Sequence, residues 1–492
     1  MGAALWPLSI ASARRAQADT SAARACLFSK PDHRRTGSLG PKLQNAFRVS
    51  TIPEVHLPFA RLELVMALFL LRLFSVLGVP RVLRAWRTLP LVALAVLGLA
   101  SGAAMAAKGA GGGKPPYDYF AVGDPGALTD TASKIGNDPQ RKPSFLLMGG
   151  GPDVDEGFRL MIRKAGATAT TGGRFVVIRA TGTDAYNSYI YDSSGTEWTS
   201  YVGGKDLHLS SVETLIIPNR AAAAHPDVLN IIRRADMLFI AGGDQADYIN
   251  YWKGTPVELA IQSLMARNVP IGGTSAGLAV LGQFDFAALN GTVQSPQALG
   301  DPFNRYMTLD PAPLSLSAGF IAPAALEHTV LDSHLDTRDR LGRLMVFVAR
   351  MIQQSGGRGG CSGGVLPSGA KGARGIGLGV ETALRIEVDA QGRTIGKRVT
   401  NDASNSTYPP DPEPTPSAVY FVRPLGDPST CAAKKPLTMP RVEVYRLADS
   451  AVSFDLSSWF LNYGDQYSSG PATYNADINA GVISWGGKPF AY

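Results

Sequence analysis

The residues best able to do chemistry lie in Pro270–Gly277, PIGGTSAG. Gly273-Thr274-Ser275-Ala276-Gly277 has the form G-x-S-x-G. It follows an apolar run, Val269 to Ile271, that reads as a short buried strand, and it leads into AGLAVLG, which reads as the start of a helix. That setting is what a nucleophile elbow needs: small residues let the backbone turn sharply and hold a serine hydroxyl clear of the sheet. The turn also aims the Ala276 N–H where an oxyanion would form. The plainer alternative is a glycine-rich turn with an incidental serine. A serine nucleophile requires a base, and histidine is scarce. His33 and His56 lie far upstream, His208 and His225 precede Ser275, and only His328 and His334 follow it. His334, in Asp332-Ser333-His334 just ahead of a predicted helix over 338–353, is the best-placed base. An α/β-hydrolase would place its histidine late, after an acid, and no histidine follows His334, so that layout fits poorly. Arg338, Arg340 and Arg343 crowd the same stretch. Asp336 is expected to begin the helix, with Asp339 three residues later as a capping pair, which sets Arg340 and Arg343 on nearly one face. Guanidinium forks bind carboxylates bidentately, so three of them beside the base point to an acidic substrate. A solvated helix face paired with Asp336 and Asp339 is the competing reading.

These residues need a scaffold, and the surrounding pattern supplies one. Ser144–Met148 (SFLLM) predicts a strand ending in Gly149-Gly150-Gly151, after which Pro152 to Glu156 open a helix with Phe158, Met161 and Ile162 on its apolar face. The acids of that opening read as cap and first-turn carboxylates rather than as metal ligands. Strands are predicted at 174–179, 212–217 and 237–241, and helices at 223–233 and 256–268. Short apolar strands alternating with helices argue an α/β fold, a parallel sheet flanked by helices on both faces. Ligands of such sheets sit at the carboxyl ends of strands, where the Gly149 turn, the Gly242-Gly243 turn and Ser275 all belong. Strand-like pieces recur over 375–388, a Pro-rich polar loop is predicted at 401–417, and 419–492 is β-rich and irregular.

The chain is 492 residues long, 45% apolar and +7 in net charge. Residues 1–106 hold thirteen Lys/Arg against four Asp/Glu, a net of +9, which leaves −2 for the remainder and no basic footprint for nucleic acid. Residues 1–65 have no clear periodicity and read as disordered or as a spurious upstream extension. Within 66–106, Arg81, Arg84 and Arg87 form a basic n-region, Leu89 to Leu99 an apolar h-region and Ala104-Met105-Ala106 a cleavage site. That is the pattern of a secretory signal, with an uncleaved anchor as the alternative. The expectation is therefore a secreted or periplasmic protein with no stable membrane anchor once the signal is cut. Residues 107–140 read as linker and lead-in, 141–390 as the catalytic domain and 391–492 as a β-rich C-terminal extension. Of the three cysteines, Cys26 would be lost on cleavage, which makes a Cys361–Cys431 disulfide an expectation of export. No C-x-x-C pair occurs, and neither a metal nor a cofactor is expected.

GGTSAG around Ser275, AGGDQ ending at Gln245, DSHLDTRDRLGRL from Asp332 to Leu344 and GIGLGVETAL from Gly375 to Leu384 together resemble the cyanophycinases and their relatives among the S51 serine peptidases, which include aspartyl dipeptidases. The resemblance covers about 144–387. It implies a class I glutamine-amidotransferase-like α/β fold and a Ser-His-Glu triad. By position it makes Ser275 the nucleophile, His334 the base and Glu381 the acid, with the N–H groups of Gly243 and Ala276 as oxyanion donors. Gln245, Asp332, Ser333, Arg338, Arg340 and Arg343 would shape the pocket for an aspartyl residue linked through its side-chain carboxyl. The implied substrate is cyanophycin, a poly-aspartate backbone bearing arginine on each side chain, or a related acidic peptide. The sequence departs from the family pattern at three places. Ser333 stands where glutamine is common, no lysine follows Gln245 at the family spacing (Ile249 is there and Lys253 lies further on), and Val380 fills the expected glutamate place with Glu381 one later. A related hydrolase of another acidic substrate, such as an α-aspartyl dipeptidase, and a non-catalytic binding module are the competing readings. The sequence leaves oligomeric state open, with a homodimer as the candidate assembly.

Overall fold

Apolar runs without polar interruption cannot face water on either side, and in the computed structural model of the chain they become strands covered on both faces. The structure describes residues 114–492 apart from 194–200, 356–358, 402–417, 463–472, 488 and 491. The chain divides into two units, Met1–Lys108 and Gly109–Tyr492, and every described residue belongs to the second. The predicted export signal (Arg81 to Ala106), residues 1–65 and the loop over 402–417 lie outside the described residues.

The first half of the second unit alternates as the pattern predicts. In order it forms β1 (Asp118–Gly123), β2 (Ser144–Met148), α1 (Asp155–Ala165), β3 (Arg174–Arg179), α2 (Ala185–Tyr191), β4 (Ser211–Ile216), α3 (Pro226–Arg233), β5 (Met237–Ile240), α4 (Gln245–Trp252), α5 (Pro256–Ala266) and β6 (Ile271–Thr274). β4, β3, β5, β6 and β2 lie side by side in that order, all parallel, and β1 closes one edge antiparallel to β4. Alternation along each strand sorts side chains to two cores. Leu146, Met148, Phe175, Val177 and Phe239 meet Phe158, Met161 and Ile162 of α1 on one face. Leu147, Val176, Ile178, Leu238 and Ile240 meet Val228, Ile232, Ile261 and Leu264 of α3 and α5 on the other. Each such side chain contributes about 1.5–3 kcal/mol by burial, so the strands' carboxyl ends are held firmly. The acids before α1 divide: Asp155 and Glu156 occupy the first turn as expected, but Val154 is the N-cap, and Asp153 is no cap, because its carboxylate accepts the Tyr186 hydroxyl at 2.7 Å.

The second half builds α6 (Ala276–Ala279), β7 (Asp285–Phe286), α7 (Ser295–Gly300), β8 (Leu309–Asp310), β9 (Thr329–Asp332), α8 (Leu341–Met351), β10 (Arg374–Leu378) and β11 (Thr382–Val388). It continues with β12 (Thr394–Thr400), β13 (Val419–Pro424), β14 (Met439–Leu447), β15 (Ser453–Asp455), β16 (Phe460–Asn462), β17 (Thr473–Asn479) and β18 (Val482–Gly486). The region beyond 391 is β-rich, and it feeds two sheets. β11, β12, β15 and β16 extend the first sheet from β2, all antiparallel. A second sheet runs β18-β17-β14-β13-β10-β9, with only β9 and β10 parallel. Cys361 and Cys431 form the expected disulfide, their Cα atoms 5.1 Å apart.

The helix predicted over 338–353 is shorter than expected: it starts at Leu341, not Arg338, and residues 335–339 are a turn. Asp336 does not cap it. Its carboxylate accepts the N–H groups of Thr337 (2.7 Å) and Val380 (3.1 Å), and Asp339 adopts φ +46°, which stops a right-handed helix from running through the turn. The apolar period Leu341, Leu344, Met345, Val348 and Met351 begins only where the helix does.

Candidate active site

Ser275 stands between β6 and α6 with φ +53° and ψ −113°, a conformation that L-residues rarely adopt. The neighbouring glycines make it possible. A Cβ on Gly273 would lie 2.4 Å from the Gly277 carbonyl oxygen, and one on Gly277 only 2.0 Å from that of Ile240. The predicted elbow is thus present in its geometry. His334 follows β9, and its Nε2 lies 2.9 Å from the Ser275 Oγ. The ring packs over Gly150, where a Cβ would come within 2.4 Å of Nε2, so the imidazole sits where only glycine allows it. His334 is pushed down to about 4, first by burial and then by the positive charges of Arg338 and Arg340. Near neutral pH the imidazole is therefore uncharged, the state that can take the serine proton.

A single short run of backbone sets the three candidate catalytic residues in place. The Met148 carbonyl accepts the Ser275 N–H at 3.1 Å, the Gly149 carbonyl that of His334 at 2.8 Å, and the Gly150 carbonyl that of Glu381 at 3.1 Å. Glu381 lies in the turn between β10 and β11 at φ +48°, and His334 is at φ +50°. The register along residues 148–150 therefore orders Ser275, His334 and Glu381 one after another.

Beside Ser275 opens a cleft of about 260 Å³, lined by Gly243, Asp244, Gln245, Ala276, Ala288, Gly291, Thr292, Ser333, Arg338, Arg340 and Arg343. Gln245 opens α4 and donates through Nε2 to the Phe286 carbonyl at 3.3 Å. The three arginines share the cleft but not the same role. Arg343 is 2% exposed and fully engaged: Nε and Nη2 grip the Asp332 carboxylate at 2.7 and 2.6 Å, and Nη1 donates to Thr292 and Val293. Arg340 is buried and donates to the Ser333 carbonyl at 3.0 Å. Arg338 is exposed, and among the described residues its guanidinium has no hydrogen-bond or ion-pair partner. Asp332 is thus the buried counter-ion that fixes Arg343, and it also accepts the Ser333 N–H at 2.9 Å. Ile249 packs into the core and brings no charge to the cleft, while Lys253 is turned away to Asp310 and the Ala318 carbonyl.

Sequence reasoning singled out the Gly149 turn as belonging to this edge but not Gly150 as the floor under the base. It missed Thr292, which holds Arg343, and Ser295, whose hydroxyl accepts the Arg343 N–H and donates to the Asp339 carbonyl. Both lie far from the motifs, on a segment with no periodicity to mark it. A larger cleft, about 330 Å³, lies along β11 and β12 between Arg385, Arg393 and Lys397, and shares no residue with the Ser275 cleft.

Residues 198–296 match Peptidase family S51. A cyanophycinase of Synechococcus elongatus is 26% identical over 226 residues, 44% of this chain and 59% of that protein. A cyanophycinase of Geminocystis herdmanii (strain PCC 6308) is 24% identical over 216 residues, 44% of this chain and 70% of that one. The chain thus spans about 59% of the length of the first of these relatives. Among solved structures, a peptidase from an acI-B1 Actinobacterium aligns with a TM-score of 0.34 and 14% identity, over 59% of this chain and 95% of that one. This chain is thus similar to peptidase family S51 over residues 198–296 and to the cyanophycinases over about 44% of its length.

Proposed function

We propose that this protein hydrolyses cyanophycin or related β-aspartyl peptides through a covalent acyl-enzyme. The observation that carries this reading is the 2.9 Å Ser275–His334 contact at a strained elbow, opening onto a cleft that holds a guanidinium unpaired among the described residues. His334 takes the proton as the Ser275 Oγ attacks the scissile carbonyl. The N–H groups of Gly243 and Ala276 receive the developing oxyanion, and His334 then returns the proton to the leaving amine. Water, activated by the same imidazole, frees the acyl group. Glu381 is the proposed third member of the triad, supported by its place in the Met148–Gly150 register. Arg338 is the proposed contact for a substrate carboxylate, with Gln245 and Ser333 shaping the adjoining wall. We read the fold as the class I glutamine-amidotransferase type and the protein as exported, the Cys361–Cys431 disulfide being what an oxidising compartment permits.

A shorter acidic peptide is the second reading, favoured by Ile249 lying buried where a family lysine would carry charge. Incubation of the purified protein with cyanophycin and with α- and β-aspartyl dipeptides separates the two. Release of β-Asp-Arg dipeptides, abolished in Ser275→Ala, is expected. Cleavage of α-aspartyl dipeptides alone selects the second reading, and turnover that survives Ser275→Ala rules out both.

A further inference from the structure

Arg338 and Asp339 are adjacent, exposed and opposite in charge, yet the two side chains do not pair. The Asp339 carboxylate is held elsewhere: its Oδ1 accepts the hydroxyl of Tyr492 at 2.5 Å. The same phenol oxygen accepts the Leu341 N–H at 3.4 Å, at the start of α8. Tyr492 is itself anchored. Its carbonyl accepts a hydrogen bond from Arg446 on β14 at 3.2 Å, and its ring packs edge-on against Tyr420 and Phe490, with centroids 6.0 and 5.2 Å away. Tyr420 is buried on β13 directly opposite Gly377 of β10, so the anchor reaches the strand that leads to Glu381. Burial and the neighbouring Asp339 push the phenol far above its ordinary range, so it remains a donor wherever the protein is folded.

Without that phenol, a carboxylate next to a guanidinium in a turn has an obvious alternative partner, because charge-assisted pairs are stronger than solvated ends. We propose that Tyr492 is a positioning residue for substrate recognition: by holding the Asp339 carboxylate it keeps that anion off Arg338 and leaves the guanidinium free for a substrate carboxylate. The inference rests on the reading of Arg338 given above. It also assigns a role to the last β-rich stretch of the chain, none of whose described residues line the Ser275 cleft.

The test is binding rather than turnover, with N-acetyl-L-aspartate as the carboxylate probe, titrated calorimetrically into the purified full chain. Tyr492→Phe should weaken binding about five- to tenfold, the range for one lost hydrogen bond. Asp339→Asn alone should bind at least as tightly as the parent. Asp339→Asn combined with Tyr492→Phe should return to within about twofold of the parent, because the competing anion is gone. A merely structural role for the phenol would not be rescued by removing a second charge, so a double variant as weak as Tyr492→Phe overturns the proposal. Parent-like binding by Tyr492→Phe, or no binding of the probe by the parent, overturns it as well. Should Tyr492→Phe fail to fold, Asp339→Asn decides alone, and weaker binding than the parent is the refuting result. A protein that shows the expected pattern yet cleaves no aspartyl peptide refutes the peptidase reading and leaves this one standing.

Discussion

Ser275, His334 and Glu381 all lie at positive φ, 53°, 50° and 48°, each a conformation costing about 1–3 kcal/mol that persists only where the surroundings over-determine it. For His334, the proposed base, the same surroundings set its protonation. Burial and the charges of Arg338 and Arg340 depress His334 to about 4, against about 6.5 for a free imidazole. The base must be neutral to act, so kcat/KM should hold as pH falls through 6 and decline only near pH 4. Removing a neighbouring cation relieves part of the depression, so Arg338→Ala should move the acid limb upward. A pH–rate profile that breaks near 6.5 in both proteins would contradict this assignment. The Arg343–Asp332 pair calls for a stability measurement instead. Replacing Arg343 with Met leaves a carboxylate 2% exposed without its partner, and the loss should be about 3–5 kcal/mol by denaturant unfolding. Replacing both residues with apolar ones should restore much of it. A loss below about 1 kcal/mol for the single variant would mean that the pair is effectively solvated.

At the level of elements, the glycine loop after β2 carries the most demanding geometry. Gly150 has φ +90°, and a methyl group there would push into the His334 ring. Gly150→Ala should therefore displace the base by a fraction of an ångström or more and cost about 10²-fold in kcat/KM, while far-ultraviolet circular dichroism stays unchanged. Near-parental turnover would show that the ring has room to retreat. The strands and the elbow were legible in the sequence because each is a local signal: an unbroken apolar run, or small residues around one serine. The start of α8 was not. Arg338-Asp339-Arg340 looks helical by composition, and what ends the pattern there is Asp336 bonding to Val380, 44 residues away. The unequal roles of the three arginines were hidden for the same reason. Their spacing marks a carboxylate site, but the partners that engage Arg343 and Arg340 are set by tertiary packing. The strands of 391–492 were recognisable as strands, yet their division between two sheets rests on pairings over long separations that no local pattern encodes.

For the molecule as a whole, the disulfide ties the loop after α8 to the segment between β13 and β14, closing 70 residues. Cys361→Ser with Cys431→Ser should lower unfolding stability by roughly 2–4 kcal/mol, chiefly by freeing the unfolded chain. Equal denaturation midpoints with and without reductant would show that the bridge does not form in solution. The two sheets meet at the proposed catalytic residues: Ser275 follows β6 of the first, while His334 and Glu381 follow β9 and β10 of the second. What spans the seam is the row of carbonyls from Met148 to Gly150. Those acceptors are peptide groups, common to every amino acid, so conventional mutagenesis leaves the contacts themselves intact. Alanine scanning would pass over Met148 as a mere core residue. The instruction that aligns the site is written in main-chain atoms, and chemical protein synthesis can read it: an ester replacing the peptide bond ahead of His334 deletes one donor, changes no side chain, and should slow turnover.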